Sequence, residues 1–439
     1  MGTGELIVMS PNNSNRHLQK LTSKPCQMWV KSGLLEMSNV NSMTQTVSTP
    51  TDLEILQRYI DLGIQYAFAV PCSITSTWTH FACDAANRGF WNFNLTNHEG
   101  NLAGLAAGVF LGTGRPALIQ LQNSGLPNIG DGLISMASNK VCGIPIVLLV
   151  THRGADGDDD SEPHQEIGKR TKALVTTIVG DSGQVFSGVV GVGLLSQIDK
   201  SVVAAQQNGI GVFILKEKDF HKSPITYCLN SQFRRTQYIV TPSLRSQRSP
   251  RISFARPVDR DTAIQAIAEV HPDAAMLYCN GYTSRAAQVV ADRPGNFYNV
   301  GYMGGTLAIG WSLAKCRPDL EVVVIDGDQN ALMSTMKPHL WSDYPPNLSW
   351  YILDNQVGAS VGGAPSITLP TTIQQIAYII ETIPDLPGSF KHPRVNARGV
   401  SFEKQPPDST LGQLTSLTSR FRAWADYNKN KRNKNDIPQ

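Results

Sequence analysis

The chain has 439 residues, 41% of them hydrophobic and 17% charged, with a formal net charge of +3. That length holds two or three domains with real cores, and so small a charge gives no reason to expect a nucleic-acid partner while suiting a small anionic ligand. No apolar run approaches the roughly 18 residues of a membrane span, and the start lacks a compact hydrophobic signal core; the seven cysteines form no C-x-x-C pair, which disfavours a disulfide framework or a zinc site and points to a reducing cytoplasm.

Residues 1–49 are rich in Ser, Asn, Thr and Met, show no sustained period, and read as a flexible extension. Order is expected from Thr51-x-x-Glu54, a capping box ahead of the amphipathic LEILQRYIDLG. Strands are predicted at YAFAV (66–70), PALIQLQ (116–122), PIVLLV (145–150) and GVFILK (211–216). Helices lie between them, including the Gly/Ala-rich GNLAGLAAGVFLG (100–112). Near-continuous apolar strands alternating with helices indicate a parallel sheet covered on both faces.

Residues 221–258 are basic, hold Pro and Ser without clear periodicity, and read as a linker. A second alternating series runs from DTAIQAIAEV (261–270) through AAMLYC, NFYNV and EVVVID to LSWYIL (348–353). The polar end, residues 425–439, is expected to be disordered. The organisation is therefore two doubly wound α/β domains, 50–220 and 259–424, with no third domain between them.

Within VVVIDGDQNALM (322–333), Asp328 follows an apolar strand, and Asn355 follows another. Ligands of open parallel sheets bind outside the carboxyl ends of the strands. If the two strands are neighbours, a carboxylate and an amide oxygen converge into a partial site for Mg²⁺, which completes its shell with water and phosphate oxygens. Gly327 permits close backbone approach, and the N–H groups of Gln329 and Asn330 open a helix whose dipole favours an anion. A helix cap at Asp328 and an ordinary turn at Asn355 explain the same residues without any ligand. Glu99, at a strand-to-helix junction in NHEGN, reads equally as a charge favoured by a helix dipole. The chain has neither a P-loop nor a well-placed G-x-G-x-x-G.

Gly327-Asp328 followed by Asn355 resembles the metal–diphosphate motif of thiamine-diphosphate enzymes, with Gln329 where that motif usually has a second glycine. More narrowly, NHEGN, QNSGLPN (122–128), THRGADG (151–157), GYTSR (281–285) and NFYNVGYMGG (296–305) resemble the phosphonopyruvate and sulfopyruvate decarboxylases, over roughly residues 52–405. The resemblance implies a pyrimidine-binding domain followed by a diphosphate-binding domain, both of the thiamine-diphosphate-binding fold. It further implies that Asp328, Asn355 and the Val357 carbonyl hold Mg²⁺, and that Thr283 and Ser284 reach the diphosphate. Met303 would wedge the cofactor into its bent form, Gly301 would offer a carbonyl to the pyrimidine, and Glu99 would bond its ring nitrogen. For the substrate it implies Ser73, Gln122 and Asn123 at strand ends, with Arg153, Arg285 and His164 as partners for a dianion. The activity implied is decarboxylation of 3-phosphonopyruvate to phosphonoacetaldehyde in phosphonate (antibiotic natural-product) biosynthesis. Sulfopyruvate decarboxylation, a thiamine-dependent carboligase and a non-catalytic binding protein are the alternatives. Members of this family assemble as homodimers or larger, with active sites between subunits.

Overall fold

A computed structural model describes residues 49–188, 193–223, 252, 254–385, 390–397 and 416–435. Helix α1 (Asp52–Asp61) begins at the expected capping box, the Thr51 hydroxyl accepting the Glu54 N–H and the Glu54 carboxylate accepting the Thr51 N–H at 2.7 Å. The first half then runs β1 (Tyr66–Ala69), α2 (Ser76–Asn87), β2 (Asn92–Leu95), a short 3₁₀ turn at Glu99–Asn101, α3 (Leu102–Thr113), β3 (Ala117–Gln122) and α4 (Leu126–Ala137). It closes with β4 (Ile146–Thr151), α5 (Glu162–Val179), β5 (Gly183–Ser187), α6 (Leu194–Asn208) and β6 (Ile210–Leu215). All six strands are parallel, in the order β2-β1-β3-β4-β6-β5.

The second half runs α7 (Arg260–Val270), β7 (Ala275–Tyr278), α8 (Tyr282–Val290), β8 (Asn296–Tyr298), α9 (Thr306–Cys316) and β9 (Val322–Gly327). It continues with α10 (Asp328–Met333), α11 (Lys337–Ser342), β10 (Leu348–Asp354), the small antiparallel pair β11 (Val357–Gly358) and β12 (Ala364–Pro365), α12 (Thr371–Gln374), β13 (Tyr378–Glu381) and α13 (Leu417–Asn435). Its sheet is also wholly parallel, in the order β13-β10-β9-β7-β8. The central strands β3, β4, β7, β9 and β10 are buried along almost their whole length, as apolar runs with helices on both faces require. The edge strands β2, β5 and β13 are half exposed and mix polar with apolar residues, so apolar runs do not mark them.

The two halves meet through α3 and α9. Gly104, Gly108 and Gly112 form an i, i+4 ridge against Ala308, Ser312 and Cys316; a methyl group at Gly104 would sit 2.7 Å from the Ala308 Cβ. Absence of side chains on that ridge lets the helix backbones approach closely, which explains why a helix so poor in polar residues is buried on all sides.

The expected disordered tail is corrected by α13, which is helical to Asn435. Its first turns carry residues that both halves need. Thr418 donates to the Cys142 carbonyl at 2.7 Å, Arg422 to the Leu111 carbonyl at 2.9 Å, and the fully buried Arg420 grips Asp292 with two bonds of 2.8 and 2.9 Å. Phe421 is buried edge-on to Phe297. The expected extension before residue 49 lies outside the described residues, as does most of the expected linker. At the linker's ends, Ser223 donates to Asp52 and Val258 bridges Thr382. No described helix is long and apolar enough to cross a membrane.

Candidate active site

Register determines where the two strand-end residues go. β9 and β10 are parallel neighbours with Leu353 opposite Gly327, so Asp328 and Asn355 leave the sheet at one carboxyl edge. Both are nearly buried, and both line one open cavity. The Asp328 Oδ1 accepts the Gln329 N–H at 2.9 Å. Its Oδ2 is buried with no donor in bonding geometry among the described residues, although the Ser366 hydroxyl lies near enough to restrain the carboxyl's pKa. Burial is the larger influence and pushes that carboxyl above its ordinary value.

A buried oxygen without a partner costs free energy, and a divalent cation would relieve it. Asn355 Oδ1 accepts the Val357 N–H at 3.2 Å, and Val357 lines the same cavity. Between them Gln356 has φ 60°, the one positive φ outside glycine among the described residues, at a cost of about 1–2 kcal/mol. No cluster of three His, Cys, Asp or Glu side chains able to hold a metal occurs among the described residues. The oxygen set is therefore a partial one, the kind that Mg²⁺ completes with ligand phosphates. Gln329 turns its amide onto Gly358, where a Cβ would lie 2.6 Å from Nε2, so this side chain packs on the turn that follows Asn355.

The opposite wall comes from α8 and the loop before α9. Thr283 lines the cavity near the start of α8. Ser284 turns back instead, its hydroxyl donating to the Cys279 carbonyl at 2.6 Å, and is absent from the lining. Met303 lines the cavity with 56% of its surface exposed. Gly301 has φ 96°, and its carbonyl lies 3.5 Å from the Asn280 amide nitrogen. Gly304 donates to Asn330 Oδ1 at 2.9 Å, while Asn330 Nδ2 and Trp350 Nε1 both donate to the buried Asp326, whose carboxyl burial pushes up to about 6. That chain of bonds ties the Met303 loop to the end of β9.

Glu99 opens the 3₁₀ turn that leads into α3 and accepts the Asn128 amide at 3.1 Å. Its neighbours are stitched to the other half: the Tyr302 hydroxyl donates to the Gly100 carbonyl, Thr335 donates to Asn101 Oδ1, and the Met303 N–H reaches Asp131 Oδ2 at 3.0 Å. The half carrying Glu99 and the half carrying Asp328 thus meet within one chain. The α3–α9 contact lies within one chain, while Glu99 is not among the residues that line the Asp328 cavity.

The substrate candidates divide. Arg153 donates to Ser73 Oγ at 3.3 Å and makes a two-pronged pair with Asp160 at 2.9 and 2.6 Å. His164 contacts Asp160 at 3.0 Å and Gln122 at 3.3 Å, and Gln122 also accepts from Cys72. Arg153 holds the Asp160 carboxyl far below the usual carboxylate range. Asn123 is fully buried, bonded to the Arg153 carbonyl and to Thr171, so it braces this group from beneath. Arg285 is not part of it. Its guanidinium donates to the His392 carbonyl and stacks on Tyr282 and Phe390.

No family model matches the chain. Its sequence is 29% identical over 341 residues to phosphonopyruvate decarboxylase of Streptomyces hygroscopicus, covering 74% of this chain and 77% of that one. It is 25% identical over 319 residues to sulfopyruvate decarboxylase of Methanosarcina acetivorans, covering 70% and 76%. The chain is a relative of these decarboxylases. Its fold is similar to that of the thiamine diphosphate-dependent 4-hydroxybenzoylformate decarboxylase of Rhodococcus jostii RHA1, with a TM-score of 0.50 at 12% identity over 76% of this chain and 99% of that one. Two doubly wound parallel sheets, the thiamine-diphosphate-binding fold, are what the two chains share.

Beyond the motifs that resemble the phosphonopyruvate decarboxylases, three site residues were not foreseen. Arg260 lines the cavity, pairs with Asp385 and lies over the Tyr282 ring at 5.5 Å, yet in sequence it is an ordinary helix-start arginine. Asp160 is one of three consecutive aspartates, which gives no sign of which one pairs inward. Asn128 had a usable signal, since it ends the QNSGLPN motif.

Proposed function

We propose that the chain is a carboxy-lyase dependent on thiamine diphosphate and Mg²⁺ that converts 3-phosphonopyruvate to phosphonoacetaldehyde and CO₂. The observation that carries this reading is the unpaired, buried Oδ2 of Asp328 beside Asn355 in one cavity, facing a loop bonded to the neighbours of Glu99. Asp328, Asn355 and the Val357 carbonyl would hold the metal. Thr283 and the first N–H groups of α8 and α10 would receive the diphosphate, with Gly327, Gln329 and Asn330 close to it; Ser284 would support that turn from behind. Arg260 adds a cation to the same wall. Met303 would press on the cofactor between its rings, Gly301 would offer its carbonyl to the pyrimidine, and Glu99, oriented by Asn128, would hold a proton against the pyrimidine nitrogen.

Once bound, the cofactor supplies the electron sink that loss of CO₂ from a 2-oxoacid requires. The remaining work belongs to the chain. Ser73, Gln122 and His164 would orient the 2-oxoacid, and Arg153 would meet its phosphonate. The near-buried walls would exclude water, which favours a step that disperses charge.

Phosphonate biosynthesis, including antibiotic natural products, is the pathway that goes with this substrate. Sulfopyruvate is the second reading, supported by the similarity to a sulfopyruvate decarboxylase at 25% identity. Carboligation is a third, separable by adding an acceptor aldehyde and analysing products. Exposed Met303, Met333, Val361 and Ile367 give this region an apolar surface that supports assembly into a homodimer or higher homo-oligomer with active sites between subunits. The thiols of Cys72, Cys279 and Cys316, free of disulfide, support a reducing cytoplasm. The deciding experiment incubates purified protein, thiamine diphosphate and Mg²⁺ separately with phosphonopyruvate, sulfopyruvate and pyruvate and follows CO₂. Fastest release from phosphonopyruvate is expected; release from none of the three would end the decarboxylase reading.

A further inference from the structure

Arg153 is the cation that the phosphonate of the proposed substrate would need, yet its guanidinium is already engaged. Asp160 takes both prongs of the fork, Nε at 2.9 Å and Nη2 at 2.6 Å, leaving Nη1 to Ser73 at 3.3 Å. This is the planar, two-point geometry by which arginine binds either a carboxylate or a phosphonate. The pair is not a surface one, since Asp160 keeps 12% of its side-chain surface exposed and Arg153 26%.

The carboxylate is also held in place. His164 and the Ser161 N–H bond its Oδ1, the latter at 2.8 Å, and Gln165 donates to the Asp160 carbonyl. Gly154 packs directly on the His164 carbonyl, which seats the loop on α5. The neighbouring acids do other things: Asp158 pairs with Lys218 at 2.8 Å, and Asp159 is exposed. So one aspartate of the acidic loop points inward. It does so beside Gln122 and Ser124, whose neighbour Gly125 touches the Glu99 carboxylate.

We infer that Asp160 is an internal counter-anion that pairs with Arg153 when no substrate is bound and that the substrate's anionic terminus must displace. This inference rests on the decarboxylase reading. Without substrate the carboxylate keeps a half-sheltered guanidinium paired, avoiding the cost of an uncompensated charge. When a phosphonate takes the fork, Asp160 is pushed aside but stays near, and its repulsion is greatest for a dianion. When the phosphonate-bearing product forms, the same carboxylate competes to recover Arg153 and so favours release. Asp160 thereby sets how tightly anion-bearing substrates are held, and its effect on a substrate whose tail is a methyl group is smaller, limited to what passes through Ser73 and His164.

The test compares wild type, Asp160→Asn and Arg153→Gln for KM and kcat with phosphonopyruvate, sulfopyruvate and pyruvate, and for calorimetric binding of methylphosphonate to the chain without cofactor. Asp160→Asn keeps the shape and an acceptor while removing the charge. A charge-assisted bond freed for the ligand should lower the phosphonopyruvate KM about tenfold. The sulfopyruvate KM should fall less and the pyruvate KM should move least, while methylphosphonate binding tightens in parallel. Arg153→Gln should raise the phosphonopyruvate KM and abolish methylphosphonate binding. An Asp160→Asn protein that melts like wild type and leaves the phosphonopyruvate KM unchanged or raised, or moves the pyruvate KM equally, overturns the inference. If wild type decarboxylates none of the three acids, the functional reading fails separately, and methylphosphonate calorimetry still decides whether Asp160 competes for Arg153.

Discussion

Gly125 lies so close to the Glu99 carboxylate that a Cβ at position 125 would sit 2.6 Å from Cδ and 2.7 Å from Oε1. The turn after β3 therefore fixes where the Glu99 carboxylate can be, with the Asn128 amide fixing its rotation. Gly125→Ala is expected to displace the carboxylate by a fraction of an ångström. Stability should fall by about 1–3 kcal/mol as for other overpacked sites, and turnover by roughly ten- to a hundredfold. Thermal melting and kcat check the two effects; an alanine variant with wild-type stability and kcat would show that Gly125 does not position the Glu99 carboxylate.

Asp328→Ala removes the carboxylate whose Oδ2 has no partner in bonding geometry among the described residues. It is expected to fold normally and to weaken Mg²⁺-dependent retention of thiamine diphosphate by on the order of a hundredfold. Titration calorimetry with and without Mg²⁺ is the measurement. Wild type treated with a chelator should behave like the variant, whereas equal retention in all three would show that no metal bridges Asp328 to the cofactor.

Glu99→Gln should bind the cofactor yet lose most turnover. With active sites between subunits, mixing Glu99→Gln protein with Asp328→Ala protein should restore activity after co-refolding, toward about a quarter of wild type for random pairing at a dimer. No recovery would mean that Glu99 and Asp328 of one chain serve the same site.

Arg420→Ala strips a fully buried guanidinium from Asp292, whose carboxylate also accepts the Tyr298 hydroxyl at 2.6 Å. Breaking a buried pair on one side costs about 3–5 kcal/mol, and a denaturant midpoint lowered by that free energy divided by the m-value is expected. A midpoint equal to wild type would return the C-terminal segment to a dispensable tail.

What the sequence alone determined was whatever depends on near neighbours along the chain. Continuous apolar runs announced the buried central strands β3, β4, β9 and β10, and Thr51 with Glu54 announced the start of α1. The placement of Asp328 and Asn355 just past two such strands put them at one sheet edge as soon as β9 and β10 proved adjacent. The edge strands β2, β5 and β13 escaped because half-exposed strands lose the apolar signature. Only the tertiary structure could decide which arginine meets which acid. Arg153 is taken by an aspartate seven positions away, Arg285 by the carbonyl of His392, and Arg420 by Asp292 across 128 positions. An ion pair or a helix ridge such as Gly104-Gly108-Gly112 gains its energy only from the surface that folds against it, and no periodicity in the chain records that surface.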